Sequence, residues 1–193
     1  MTSRTTRQEL LRQTTHFIIG LVLLALFLTT SKTHLFFLLA TLTLFILATI
    51  HHYHHRHKLI SKIRTIISLY ERKTVLFKGL GVFTFLLGFA LTTAIFPKQA
   101  AINGLIILIV GDAAATIFGH QGDHTLPWNN HKTWEGLLGS CFTAGMILTL
   151  LHGPKGFLLA LVGSIIEGLP LPNYLDDNIL LPLSVALIST ILL

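Results

Sequence analysis

Seven long apolar runs leave this chain few ways to fold in water. They cover residues 10–29, 35–50, 75–96, 100–118, 134–151, 157–169 and 179–193. A hydrocarbon core about 30 Å thick takes roughly 20 helical residues to cross, and these runs reach or approach that length. Only 11% of the 193 residues are charged and 52% are apolar, whereas about a quarter of a soluble domain is charged. Too little polar surface remains to coat a water-facing globule. The expectation is one all-α domain over residues 1–193, a polytopic transmembrane helical bundle of about seven helices. Short polar turns such as Pro97-Lys98 and His152-Gly153-Pro154-Lys155 separate its hairpins. The first run ends in Thr29-Thr30-Ser31-Lys32, which reads as a helix end and not as a signal-peptide cleavage site. The single cysteine, Cys141, excludes an internal disulfide and a cysteine-based zinc cluster.

Lysine and arginine set the expected orientation, because basic loops stay on the cytoplasmic side. With the helix ends numbered alternately, one side holds Arg4, Arg7, Arg12, Arg56, Lys58, Lys62, Arg64, Arg72, Lys73, Lys78 and Lys132. The other holds Lys32, Lys98 and Lys155, a division of 11 against 3 among the 14 basic residues. The N-terminus is then cytoplasmic and the C-terminus outside. All eight acids (Glu9, Glu71, Asp112, Asp123, Glu135, Glu167, Asp176 and Asp177) fall on or near that same cytoplasmic side. The net charge of +6 flanks membrane helices, so anionic lipid heads or a phosphorylated ligand fit it better than nucleic acid does. A face carrying both signs suits a site for a metal and phosphates.

The densest polar signal is Gly111-Asp112-Ala113-Ala114-Ala115-Thr116-Ile117-Phe118-Gly119. A carboxylate at the end of a membrane helix costs up to ~3 kcal/mol facing lipid, so Asp112 is expected to face the bundle interior or water. Helical spacing puts Asp112, Ala115, Thr116 and Gly119 on one face, small enough for a backbone or ligand to approach. A small-residue packing face with a tolerated acid is the plainer alternative. Downstream stands Asn130-His131-Lys132-Thr133-Trp134-Glu135-Gly136. Thr133 can cap a helix that starts at Trp134. The free N–H groups and positive dipole end of that helix favour an anion. Lys132 gains nothing from that dipole, so its place there points to phosphate. Glu135 suits the dipole on structural grounds alone.

Glu167 ends the sixth run, one turn after Gly163, and Asp176-Asp177-Asn178 precedes the seventh, which contains Pro182. Hard oxygen donors of this kind suit Mg²⁺, although Asp176, Asp177 and Asn178 could also only cap a helix. On the first run, Arg12, His16 and Gly20 share a helical face with Glu9 one turn back, where a snorkelling arginine is the plain alternative. The run His51-His52-Tyr53-His54-His55-Arg56-His57 lacks companion acids or cysteines and reads as an interfacial collar rather than a zinc site. Glu71-Arg72-Lys73, before Lys78-Gly79-Leu80-Gly81, is either a solvated edge or a further part of the site.

In order, these pieces resemble the CTP-dependent lipid kinases, the family of dolichol (polyprenol) kinases, phytol kinases and the fungal CTP-type diacylglycerol kinase. The matching blocks are Arg12 to His16, Gly111 to Gly119, Lys132 to Gly136, Glu167, and Asp177-Asn178 with Pro182. Gln13 stands where the family commonly has Lys. The resemblance implies transfer of the γ-phosphate of CTP to the hydroxyl of a lipid alcohol, with Mg²⁺ as cofactor. It implies a metal held by Asp112, Glu167 and Asp177, and a nucleotide held by Gly111, Gly119, Lys132, Thr133, Gly136 and Asn178. Asp112, Lys132, Glu135, His16 and Arg12 would be the catalytic set, with a carboxylate or His16 acting on the alcohol. Phosphoryl transfer needs positioning and charge neutralisation above all. Neither a Walker loop nor a protein-kinase signature occurs. A cytidylyltransferase making a CDP-lipid would use the same metal and nucleotide. A small transporter with intramembrane acids is the non-enzyme alternative.

Overall fold

The computed structural model describes residues 3–31, 39–40, 42–43, 80–172 and 175–193. Most of the second apolar run, the histidine run at 51–57, Glu71-Arg72-Lys73, Lys78-Gly79 and the Glu9 side chain lie outside the described residues.

The fold is all-α, with six helices among the described residues. They are α1 (Ser3–Thr29), α2 (Leu80–Ile95), α3 (Lys98–Gly119), α4 (Trp134–His152), α5 (Pro154–Glu167) and α6 (Asp177–Leu192). Six of the seven expected runs are thus helical. Three of them, Leu10–Thr29, Lys98–Gly119 and Trp134–His152, are long and apolar enough to cross a membrane. At 16, 14 and 16 residues, α2, α5 and α6 are shorter, about 21–24 Å at 1.5 Å per residue.

The central helix is α3. In its apolar stretch 67% is buried inside the bundle, against 28% for α1 and 39% for α4. It joins two cores. One packs its Ala101, Leu105, Leu108 and Ile109 against Leu23 and Phe27 of α1 and Phe85, Leu86 and Phe89 of α2. The other packs Ile106 and Ile107 against Ala144 and Leu148 of α4, Leu159 and Ala160 of α5, and Leu181 and Val185 of α6. Between Ile107 and Gly111 the helix widens into a π turn, and the Asp112 N–H donates to the carbonyl of Ile107, five residues back. Such turns shift the phase of everything beyond them, so the two halves of α3 can address different neighbours.

Polar side chains tie one end of the bundle together. Lys98 Nζ donates to Leu28 O at the end of α1 (3.0 Å), and Lys155 Nζ to Leu192 O at the end of α6 (3.1 Å). Both cations satisfy C-terminal carbonyls. Beside them, the fully buried Asn103 donates to Ser189 Oγ (2.8 Å) and lies 2.9 Å from His152 Nε2. Toward the other end, Pro182 inside α6 returns no hydrogen bond to the carbonyl of Asn178. That carbonyl sits so close to Gly88 of α2 that any Cβ there would collide with it. Outward, Leu138, Phe142, Met146 and Leu150 of α4 recur every fourth residue and are 48%, 59%, 69% and 87% exposed. An apolar stripe of this length matches lipid as its solvent.

Candidate active site

Between α3 and α4 the chain forms a feature that the sequence does not announce, a short antiparallel hairpin of β1 (Thr125–Leu126) and β2 (Asn129–Thr133) around Pro127-Trp128. Leu126 pairs with Asn129 and Thr125 with Thr133, so Asn130, His131 and Lys132 bulge from β2 with no counterpart on β1. A bulge re-aims side chains. The hairpin tip is fastened to α5, where Trp128 Nε1 (3.1 Å) and Asn129 Nδ2 (3.2 Å) both donate to Gly168 O. Gly168 directly follows Glu167, and the bulge therefore delivers Lys132 onto it.

The Lys132 ammonium is in direct contact with the Glu167 carboxylate, and Asp177 Oδ2 lies 3.9 Å away. Glu167 is 3% exposed, whereas Lys132 and Asp177 keep 27% and 37% of their side chains exposed. Burial pulls the Lys132 pKa down, but the fields of Glu167, Asp177 and Asp112 outweigh it and hold the ammonium above the usual lysine range. It is therefore charged at neutral pH. Lys132 from β2, Glu167 from α5 and Asp177 from α6 meet at one end of the bundle, where the charge of Asp112 from α3 also reaches them. The reason inferred for Lys132 from its sequence alone, phosphate, is accordingly incomplete. Two carboxylates already give it a structural one.

The other expected site residues have more local surroundings. On α1, Gln13 is buried and donates from Nε2 to Thr116 Oγ1 (2.7 Å), one turn beyond Asp112. This sets the Arg12–His16 stretch against α3 at the turn after Asp112. His16 is buried and stacks on Phe85 of α2 (centroids 5.0 Å apart), and Arg12 is half-buried. Thr133 caps α4, accepting from Gly136 N at 3.2 Å. Gly111, Gly119 and Gly136 sit at the α3–α4 crossing. A Cβ on Gly136 would meet Ala115 O at 2.7 Å, one on Gly119 would meet Thr133 Oγ1 at 3.2 Å, and one on Gly111 would meet Ser140 Oγ at 2.9 Å. Close packing is therefore one reason for glycine at all three positions. Asn178 donates from Nδ2 to Thr84 Oγ1 of α2 (3.2 Å), and Asp176 caps α6 by accepting from Asn178 N (2.9 Å).

Glu135 turns away from Lys132 toward the hairpin base. It accepts from Asp123 N (3.3 Å) and pairs with His124 Nδ1 at 2.6 Å. That bond is the main cause of a His124 pKa raised above the usual imidazole value.

No three of His, Cys, Asp and Glu form a ready-made metal cage among the described residues. Mg²⁺ does not require one, since it commonly binds through one or two carboxylates plus substrate phosphates. Asp112 and Asp177, both partly exposed, are oxygen donors of the right hardness for that mode.

An uncharacterized protein of Methanocaldococcus jannaschii is 32% identical over 111 residues, 57% of this chain and 58% of that one. Phytol kinase 1, chloroplastic, of Arabidopsis thaliana is 29% identical over 118 residues, 50% of this chain and 38% of the plant protein. Probable phytol kinase 2, chloroplastic, of Glycine max is 29% identical over 118 residues, 51% of this chain and 40% of its own length. The chain is similar to phytol kinases. It spans less than two thirds of the length of these relatives. No family profile and no solved structure matches it.

Proposed function

We propose that this chain is a multi-pass membrane lipid kinase that moves the γ-phosphoryl group of CTP to the hydroxyl of a long-chain alcohol of the polyprenol, dolichol, phytol or diacylglycerol type. The observation that carries this reading is the meeting of Lys132 with Glu167 and Asp177 from three separate elements, within the field of Asp112 from a fourth, in a chain similar to phytol kinases. The preference for CTP rests on the family resemblance.

Lys132 binds the nucleotide phosphates as a point cation, and Glu167 beneath it fixes where the ammonium stands. Asp112 and Asp177 would hold Mg²⁺. That ion would neutralise charge on the phosphate oxygens and orient them. The alcohol oxygen forms a bond to the γ-phosphorus while the bond from that phosphorus to the β–γ bridging oxygen breaks. The nucleoside diphosphate leaves, and a carboxylate or His16 takes the hydroxyl proton. Gln13 on Thr116 holds the Arg12–His16 stretch against this end of α3.

The purified protein, given Mg²⁺, CTP and a panel of lipid alcohols, should yield a lipid monophosphate. Asp112→Asn, which keeps the side-chain shape and removes the charge, should insert normally and abolish the product. Failure to phosphorylate any alcohol with any of the four nucleoside triphosphates would sink the proposal. So would full activity of Asp112→Asn at saturating Mg²⁺, which would leave Asp112 a packing residue.

A further inference from the structure

We infer that the Trp128–Trp134 pair is the doorway by which a long-chain alcohol reaches the Lys132 cluster from the membrane plane, its chain against the indoles and its hydroxyl toward the carboxylates. This deepens the lipid-kinase reading and rests on it for the identity of the acceptor.

The two indoles meet edge to face, 5.5 Å between centroids at 77°, and each is 40% exposed. Trp128 spends its one hydrogen-bond donor on Gly168 O, so the surface it leaves open is apolar. Trp134 opens the membrane-length apolar helix α4. One turn on, Leu138 begins the exposed stripe through Phe142 and Met146. The pair therefore continues that stripe up to the edge of the site. Tryptophan favours this level because its ring suits acyl chains and its N–H suits the polar boundary. Along the chain, Trp134 stands two residues from Lys132, and Trp128 is bonded to the residue after Glu167.

A long-chain alcohol has one polar atom and a chain that water expels. Approach from the aqueous side would drag the chain through water. Approach past the indole pair leaves it in apolar surroundings while the hydroxyl enters the charged cluster. The occupant is the acceptor alcohol, not bulk phospholipid.

These are the protein's only two tryptophans, so indole fluorescence of the wild-type chain reports on this pair alone. In phospholipid nanodiscs, a brominated long-chain alcohol should quench it saturably, and the unbrominated alcohol should reverse the quenching. A phospholipid brominated at matching depth should quench only in proportion to its mole fraction. Non-saturable or irreversible quenching by the alcohol, or quenching equal to that of the phospholipid, would overturn the doorway and leave an interfacial anchor. Quenching by iodide from water with none by the alcohol would overturn it as well.

Trp134→Ala leaves the Thr133 cap in place. It should raise KM for the long-chain alcohol about tenfold, the scale of a lost aromatic contact, with KM for CTP unchanged. An unchanged KM for the alcohol refutes the inference. Saturable quenching without any phosphoryl transfer would refute the kinase and keep the lipid site. Transfer without saturable quenching would do the reverse.

Discussion

Replacing Lys132 by alanine separates what this residue does for the fold from what it does for phosphate. Its ammonium neutralises Glu167, which is only 3% exposed. Removing one partner of a fully buried pair costs roughly 3–5 kcal/mol, because the other charge is left stranded. Lys132 keeps 27% of its side chain exposed, so water can replace part of the lost ammonium, and about 2–3 kcal/mol is the better figure. At ~2–4 °C per kcal/mol for a chain of this length, the apparent Tm in detergent should fall by roughly 4–12 °C. Lys132→Ala/Glu167→Gln removes the stranded charge and should recover most of that loss. Lys132→Arg keeps the charge and should stay near wild type in stability.

Function should not follow stability. A charge-assisted hydrogen bond to phosphate is worth roughly 1.5–3 kcal/mol, so kcat/KM for CTP in Lys132→Ala should drop about tenfold to a hundredfold. It should remain down in the double variant. The planar guanidinium of Lys132→Arg replaces a point charge and should restore only part of it. An unchanged Tm in Lys132→Ala would refute the role of the ion pair. CTP kinetics within about twofold of wild type in Lys132→Ala, or recovered together with Tm in the double variant, would refute the phosphate role.

Three further outcomes follow from other parts of the molecule. Cysteine labels placed at Ser3 and Lys155 should react from opposite sides of the membrane, with Ser3 cytoplasmic; reaction from one side would refute the proposed seven-helix orientation. Gly136→Ala pushes a Cβ to 2.7 Å from the Ala115 carbonyl and should cost about 1–3 kcal/mol by prising α3 from α4, so an unchanged Tm would show that the crossing is loose. Because Glu135 raises the His124 pKa in the folded chain, the pair's contribution is fully present below the unfolded imidazole value of about 6.5 and is lost as pH rises through the folded value. An NMR titration of His124 should therefore shift to lower pH in Glu135→Gln, and identical curves would refute the pairing.

The helices were legible because apolar length and scarcity of charge leave few alternatives, and six of the seven runs lie on described helices. Counting helix ends put Lys132, Glu167 and Asp177 on one side, and these three do meet. What could not be read locally was which charges touch. Lys132 and Glu167 stand 35 residues apart, and only the bulge in β2 brings them together. The hairpin itself has no alternating apolar pattern, just a Pro-Trp turn between two short strands whose one apolar residue is Leu126. The π turn before Asp112 has no residue signature at all. Gly111, Gly119 and Gly136 leave room for a backbone or a ligand to approach, and a neighbouring backbone and side chains do approach them. The buried link from Asn103 to Ser189 and His152 has no sequence signature either, because single polar residues within apolar runs look alike whether or not they have partners.

The central claim, transfer of the terminal phosphoryl group to a lipid hydroxyl, is tested most directly by where the label travels. CTP labelled at either the α- or the γ-phosphorus would be incubated with the full-length protein in nanodiscs, Mg²⁺ and a long-chain alcohol, and the lipid and aqueous products separated. The account predicts a lipid that carries label only from the γ-position, with CDP released in equal amount. Label from the α-position in the lipid, with pyrophosphate released, would contradict it and make the protein a cytidylyltransferase.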